Sequence, residues 1–478
     1  MNKNNINKNY RIKLPREGEM KLDVYVYTSP VLNVEESALQ QLKNAACIPS
    51  VIHASATPDI HQGYGVPIGA VIGTTEVVVP AAVGYDINCG MRMHTTGIPV
   101  EDFKLEELIK TIRQHIPLGE GKNNIKLQKR DFITAVEGGV AGLSDIKDKN
   151  NIAWEVFDED EAIRQIGFIE DRGSLDADIS CVSERAIDRG KIQLATLGGG
   201  NHFIEIQRVE DIYDQNTAEK FNLRTGEITI MIHTGSRGFG HQIGGDYMKI
   251  ASNKTEKIGS PLAKKGLGFI PFKEKEGERY LKAMNCAANF AFVNRFLLYL
   301  IVKKDLAIFH PDAELTLLYD VPHNILKVER HKNRDIFVHR KGATRAFGPS
   351  RMTGTTFNKT GQPVLIPGSM GTASYVLCGV DDNDETLCSV NHGAGRVMSR
   401  TEAKGKMKKG KMVRPPAISD DEFKRAMKGI MLYAQNMRSV KEEAPQAYKD
   451  IDEVIRVVSE VGLAKKVARV RPLAVLKG

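Results

Sequence analysis

A chain of 478 residues that is 41% hydrophobic and 26% charged has an ordinary globular composition, with enough length for a large core and for more than one domain. Its formal charge of +8 suits a polyanionic partner. Six scattered cysteines (Cys47, Cys89, Cys181, Cys286, Cys378 and Cys388) lack framework spacing, which argues against a disulfide scaffold and for a reducing compartment.

The first ten residues are rich in Asn and Lys and lack the apolar centre of a signal sequence, so the cytoplasm is the expected location. Residues 22–28 alternate like a strand, and 34–46 read as a short amphipathic helix. From 51 to 97, short apolar runs alternate with Gly and Pro, which predicts strands and tight loops. Residues 101–115 predict a helix. The polar segment from about 118 to 190, with a helical patch at 158–166, is expected to form a peripheral subdomain.

Strands return at 203–206, 228–232, 315–319 and 336–338, with a helix over 277–309 between them. Its apolar centre, 287–302, is interrupted by Asn289, Asn294 and Arg295. It is also shorter than the ~20 residues of a membrane span, so a buried helix and no membrane partner are expected. The last quarter reads as strands near 364–366 and 375–377, a basic surface loop over 404–416, and helices near 420–433 and 450–460. No fixed-period repeat is present. Strands and helices without regular βαβ alternation predict the α+β class.

Chemically capable residues recur where an apolar run meets glycine-rich backbone. Asp86 and Cys89 follow Val83-Gly84-Tyr85, and His202 follows Gly198-Gly199-Gly200-Asn201. His233 opens His233-Thr234-Gly235-Ser236-Arg237-Gly238, and His323 stands in Val321-Pro322-His323-Asn324. Such loops hold ligand groups while the backbone approaches a substrate. Singly, each histidine is more often a hydrogen-bonded strand-end residue, Cys89 a buried hydrophobe and Asp86 a turn cap. Together Asp86, Cys89, His202, His233 and His323 offer one carboxylate, one thiolate and three imidazoles, enough for two metals if the sulfur bridges. Donor chemistry leaves the metal open: Cys and His suit zinc, whereas Asp tolerates manganese or magnesium.

Arg237 can present a planar fork to a phosphate. The cations of the run from His339 to Arg345 read equally well as a solvated basic loop. His392, within Val390-Asn391-His392-Gly393-Ala394-Gly395-Arg396, is expected where a helix starts, whose free N–H groups favour an anion. Pro367-Gly368-Ser369-Met370-Gly371-Thr372 is a tight turn able to offer N–H and hydroxyl groups to a nucleotide. There is no Walker loop, and no Gly-x-Gly-x-x-Gly segment between strand and helix.

Together with Pro58-Asp59-Ile60-His61-Gln62-Gly63-Tyr64-Gly65, these segments resemble, in order and number, the motifs of the RtcB-type RNA-splicing ligases. The resemblance runs from about residue 50 to Leu476-Lys477-Gly478. It implies an RtcB-like fold built around a central metal-binding cleft, as a single catalytic domain over 1–478. The implied reaction joins RNA ending in a 2′,3′-cyclic phosphate or 3′-phosphate to RNA with a 5′-hydroxyl, using GTP and two Mn²⁺ ions. Residue by residue, Asp86, Cys89 and His202 would hold one Mn²⁺, and Cys89, His233 and His323 the other. His392 would be the nucleophile that takes GMP, and Arg237 would bind the RNA terminal phosphate. The implied guanylate site comprises Asn201, His202, Phe203, Ile204, Glu205, His323, Asn324, Pro367, Gly368, Ser369, Met370, Ser374, His392, Gly393, Ala394, Gly395, Tyr448 and Lys477, with Tyr448 stacked on guanine. Implied partners are RNA (tRNA halves or other cleaved RNA), GTP and an archease-like activating protein. Two readings compete. A metal-dependent phosphoesterase acting on RNA ends would need neither GTP nor a histidine adduct, and a non-enzymatic RNA-binding protein would leave the donor set unexplained.

Overall fold

The computed structural model describes residues 10–478 except 382, 409, 410, 437 and 438. Two sheets organise it, and the class is α+β. A six-stranded sheet runs in the order Arg11–Leu14, Val24–Tyr27, Val51–His61, Ile68–Thr74, Arg334–Lys341, Asn324–His331. An eight-stranded sheet runs Thr316–Pro322, Gly90–Pro99, Glu227–Thr234, Phe203–Ile212, Ala464–Lys477, Ser374–Gly379, Pro363–Ile366, with Met431–Ala434 paired in parallel beside Ala464–Lys477.

The helix Lys275–Phe309 covers one face of the eight-stranded sheet. Its most apolar window meets the length and composition of a membrane span, yet it is entirely buried within the protein. A helix apolar on all sides needs such enclosure. Ile204, Ile206, Ile230 and Ile232 pack on this helix, while Phe203, Met231, Met91 and Met93 face a second core on the other side. That split follows the two-residue period of a strand. Residues 118–190 share the helix's core through Phe132, Trp154 and Ile166, among others.

Three segments depart from the sequence-based expectations. No helix begins at His392, which follows the strand Ser389–Asn391. Gly395 turns the chain with φ +77°, and the next helix, Arg400–Lys404, starts only after the Ser399 capping box. The basic stretch 404–416 is not a plain loop, since Lys406–Lys408 and Lys411–Arg414 pair as a hairpin. The helix near 420 stops at Ala426, because Met431–Ala434 is recruited to the large sheet. Ala464–Lys477, to which no element was assigned from sequence, is a strand inside that sheet, between Phe203–Ile212 and Ser374–Gly379.

Register then sets the site. Pro322 pairs with Gly90, and Gly90 with Thr234. One residue along, Met91, His233, Phe203 and Lys477 form a cross-strand row. Antiparallel pairing therefore brings the residues just before Gly90 and Phe203, and those closing Glu227–Thr234 and Thr316–Pro322, to one end of the sheet.

Candidate metal and nucleotide site

At that end the five expected donors converge. Cys89 Sγ lies 3.3 Å from His202 Nε2 and 3.2 Å from His233 Nε2. His202 Nε2 is 2.8 Å from Asp86 Oδ2, and His233 Nε2 is 3.3 Å from His323 Nε2. The sulfur thus stands between an Asp86–His202 pair and a His233–His323 pair. Burial holds His202, His233 and His323 below the ordinary imidazole value, so they are neutral and able to donate lone pairs. Burial, reinforced by the nearby Asp86, pushes the Cys89 thiol well up. Burial opposes the charge on Asp86, but His202 and Arg237 hold its carboxyl well below the usual range. A buried thiol that ionises only against positive charge, set among neutral imidazoles and a carboxylate, suits a pair of divalent cations sharing sulfur.

The rings are oriented from behind. His233 Nδ1 donates to Asn201 O at 3.1 Å, which leaves Nε2 free. His202 Nδ1 lies 3.1 Å from Leu197 O and 2.9 Å from Arg237 Nη1, contacts that need opposite tautomers. An Nε2 lone pair used as a ligand selects the Leu197 bond and releases the Arg237 group. Arg237 Nε is buried without a hydrogen-bond partner. Its guanidinium lies so close to Gly198 that a Cβ there would sit 1.9 Å from Cζ. Arg237 itself adopts φ +52°, a conformation that side-chain-bearing residues rarely take.

His392 stands beside these donors, its ring centroid 5.0 Å from that of His323. The fully buried Asp59 accepts from His392 Nδ1 at 2.6 Å and from the His392 backbone N–H at 3.1 Å. Burial raises the Asp59 carboxyl, but His392 and Thr57 bring it net below its ordinary value. The carboxylate fixes the proton on Nδ1 and directs the Nε2 lone pair outward, the arrangement an imidazole nucleophile needs. Two features hold Asp59 in place. Lys449 Nζ donates to the carbonyls on either side, Pro58 O at 3.0 Å and Ile60 O at 2.7 Å. Gly395 packs on its backbone, where a Cβ would lie 2.2 Å from Asp59 O. Asp59 falls inside a motif visible in the sequence, but nothing local pairs it with a residue 333 positions away.

A cleft of about 760 Å³ opens from His392. Its walls include Asn201, Phe203, Pro367, Gly368, Ser369, Met370, His392, Gly393, Ala394, Gly395, Tyr448 and Lys477 from the expected guanylate set. His202 and His323 belong to the donor cluster, and Ile204 points into the opposite core. Asn324 braces the donor loop by donating to Asp86 O and accepting from Gly342 N. Glu205 and Ser374 lie behind the wall, both bonded to Gln207. Burial pushes Glu205 up to about 8. The cleft also contains residues given no role from sequence: His61, Arg396, Arg400 and Glu443. Tyr448 donates to Glu443, while Arg396 Nη1 bonds the Tyr448 hydroxyl at 3.1 Å and its guanidinium lies over the ring. Volume and lining suit one nucleotide.

The model of the family described as "tRNA-splicing ligase RtcB" matches residues 41–478. The chain belongs to the RtcB family. Proteins named tRNA-splicing ligase RtcB from Pyrobaculum aerophilum and Methanococcus maripaludis are similar at 42% and 38% identity. The alignments cover 96% of this chain and 95% of the first relative, and 98% of both this chain and the second. A relative of the same name from Nanoarchaeum equitans is 40% identical, with 98% of each chain covered. The RtcB match therefore takes in the donor cluster, the Asp59–His392 pair and the terminal strand alike.

Proposed function

We propose that this RtcB-family chain is a GTP- and Mn²⁺-dependent RNA ligase that joins 2′,3′-cyclic-phosphate or 3′-phosphate ends to 5′-hydroxyl ends, in tRNA splicing or RNA repair. The observation that carries this reading is the Asp59–His392 pair, set between five converging metal donors and a nucleotide-sized cleft. Asp86, Cys89 and His202 would hold one Mn²⁺ and Cys89, His233 and His323 the other. When bound, the ions supply positive charge that neutralises the phosphates and activates oxygen nucleophiles.

The protein groups do the rest. His392 Nε2 attacks the α-phosphorus of GTP, forming a P–N bond as the P–O bond to pyrophosphate breaks. Asp59 stabilises the resulting positive imidazole. Tyr448 stacks on guanine, and Lys477 closes the cleft floor. An RNA 3′-phosphate oxygen, held by Arg237, then displaces His392 and gives RNA(3′)pp(5′)G. Attack of the 5′-hydroxyl on the 3′-phosphate releases GMP and seals the strand. An archease-like activator and a cytoplasmic location belong to the same proposal. So does the treatment of 1–478 as one catalytic unit, supported by the core that 118–190 shares with the central helix.

Incubation with Mn²⁺ and α-phosphate-labelled GTP tests the reading. An acid-labile protein–GMP adduct is expected, lost in His392→Ala while metal binding persists. The same variant should still seal pre-made RNA(3′)pp(5′)G. Labelling that survives in His392→Ala would move the nucleophile elsewhere, and a wild-type protein that cleaves cyclic phosphate without labelling would be a phosphoesterase.

A further inference from the structure

Two of the three polar residues that interrupt the apolar centre of the Lys275–Phe309 helix, Asn294 and Arg295, reach the segments that carry the donors. Arg295 is completely buried, on the helix-covered face of the large sheet. Its Nη1 donates to two carbonyls at once, Asn88 O and Thr234 O, each at 2.9 Å. Its Nη2 donates to Asn88 Oδ1 at 3.0 Å, and its Nε to Asp320 Oδ1 at 2.8 Å. Asn88 immediately precedes Cys89, and Thr234 immediately follows His233. One guanidinium therefore ties together the backbone beside two of the five donors.

We propose that Arg295 is a positioning residue for the metal centre, setting the spacing between Cys89 and His233; this rests on the metal reading given above. Asn88 adopts φ +52°, which must be maintained for the Cys89 side chain to project between the two imidazoles. Two further bonds hold it there beside the Arg295 fork: Asn88 N donates to Asn324 O at 2.7 Å, and Asn88 Nδ2 to Ala288 O at 2.8 Å. The planar guanidinium spreads three nitrogens over the two carbonyls, the Asn88 side chain and Asp320 at once, whereas an ammonium concentrates its donors at one point and cannot reach all four acceptors. Asp320 compensates the buried charge and is itself shared with Arg92. The preceding residue works on the neighbouring loop, where Asn294 exchanges hydrogen bonds with both backbone groups of Thr196. The helix thus braces the segments that carry Cys89, His202 and His233.

A purely structural role would make Arg295 no different from Asn289 on the same helix. Asn289 satisfies backbone groups of Val136, Glu137 and Leu175, away from the donors. The test compares Arg295→Lys with Asn289→Ala by titrating the full-length protein with Mn²⁺ and with Co²⁺, alongside thermal unfolding. Groups that orient metal ligands typically change affinity by about 10- to 100-fold when altered, and a loss of that size is expected in Arg295→Lys. The sulfur-to-cobalt charge-transfer band should weaken with it. Asn289→Ala should unfold at lower temperature yet keep wild-type metal affinity and the full band. Wild-type binding in Arg295→Lys, or an equal affinity loss in Asn289→Ala, overturns the proposal. If Arg295→Lys does not fold, Asn88→Gly serves instead: it accepts the left-handed backbone but removes the Nη2 acceptor. It too should weaken binding and the band, and unchanged binding there refutes the role. A wild-type protein that binds neither ion fails the metal reading itself, which is a distinct result.

Discussion

Asp59→Asn isolates the contribution of one buried charge to the proposed GMP-transfer step. The amide occupies the same space and keeps an oxygen in place to accept from His392 Nδ1 and the His392 N–H, contacts of 2.6 and 3.1 Å in the native protein. What disappears is the negative charge beside an imidazole that, in the proposed reaction, would become positive as its Nε2–P bond forms. A hydrogen bond to a charged group contributes about 1.5–3 kcal/mol against about 0.5–1.5 for the neutral bond that remains, a loss of about 1–1.5 kcal/mol, so at 1.36 kcal/mol per factor of ten adduct formation should slow roughly 5- to 13-fold. Asp59→Ala should do more harm, since it removes that bond outright and leaves the His392 donors unpaired at a further cost of about 1–3 kcal/mol, for a total loss of roughly 10²- to 10⁴-fold. The assay is single-turnover transfer of label from α-labelled GTP at saturating Mn²⁺. It is paired with sealing of pre-made RNA(3′)pp(5′)G, which bypasses the step and should stay near wild type. Wild-type labelling by Asp59→Asn would refute the orienting role, and equal losses in both assays would assign Asp59 to the architecture of the site as a whole.

Cys89→Ala should fold, lose metal and abolish ligation, because both proposed sites share its sulfur; full ligation by the folded variant would end the two-metal reading. Arg237→Ala should impair transfer to an RNA 3′-phosphate more than formation of the GMP adduct. Arg237→Lys should rescue it poorly, for want of a second parallel hydrogen bond; equal impairment of both steps would place Arg237 on GTP instead. Glu205, raised to about 8 from 4.5, holds its proton in the folded state over a range where the unfolded chain has released it. Stability must then fall as pH rises through that window. The difference in unfolding free energy between wild type and Glu205→Gln, measured by denaturant titration at several pH values, should therefore shrink in wild type's favour on acidification and grow against it towards pH 8. A difference independent of pH would show that Glu205 is ionised throughout.

The donors were legible in the sequence because each sits in a contiguous signature, a reactive side chain flanked by glycine or by the end of an apolar run, as in Gly200-Asn201-His202 and His233-Thr234-Gly235. The buried helix was legible too, since an apolar surface on all sides has one stable environment in a globular chain. The terminal strand was not. Register shifts between Arg469 and Val470 and between Pro472 and Ala474 break the two-residue alternation that identifies a strand, so its place in the sheet depends on partners more than 40 residues away. Without the family resemblance Lys477 reads as a chain end in sequence, whereas in space it is a cleft wall. The Asp59–His392 pair and the Arg295 fork were hidden for the same reason. The sequence states which groups can donate, accept or attack; only the pairing of distant strands, and a helix packed across them, decides which of those groups meet.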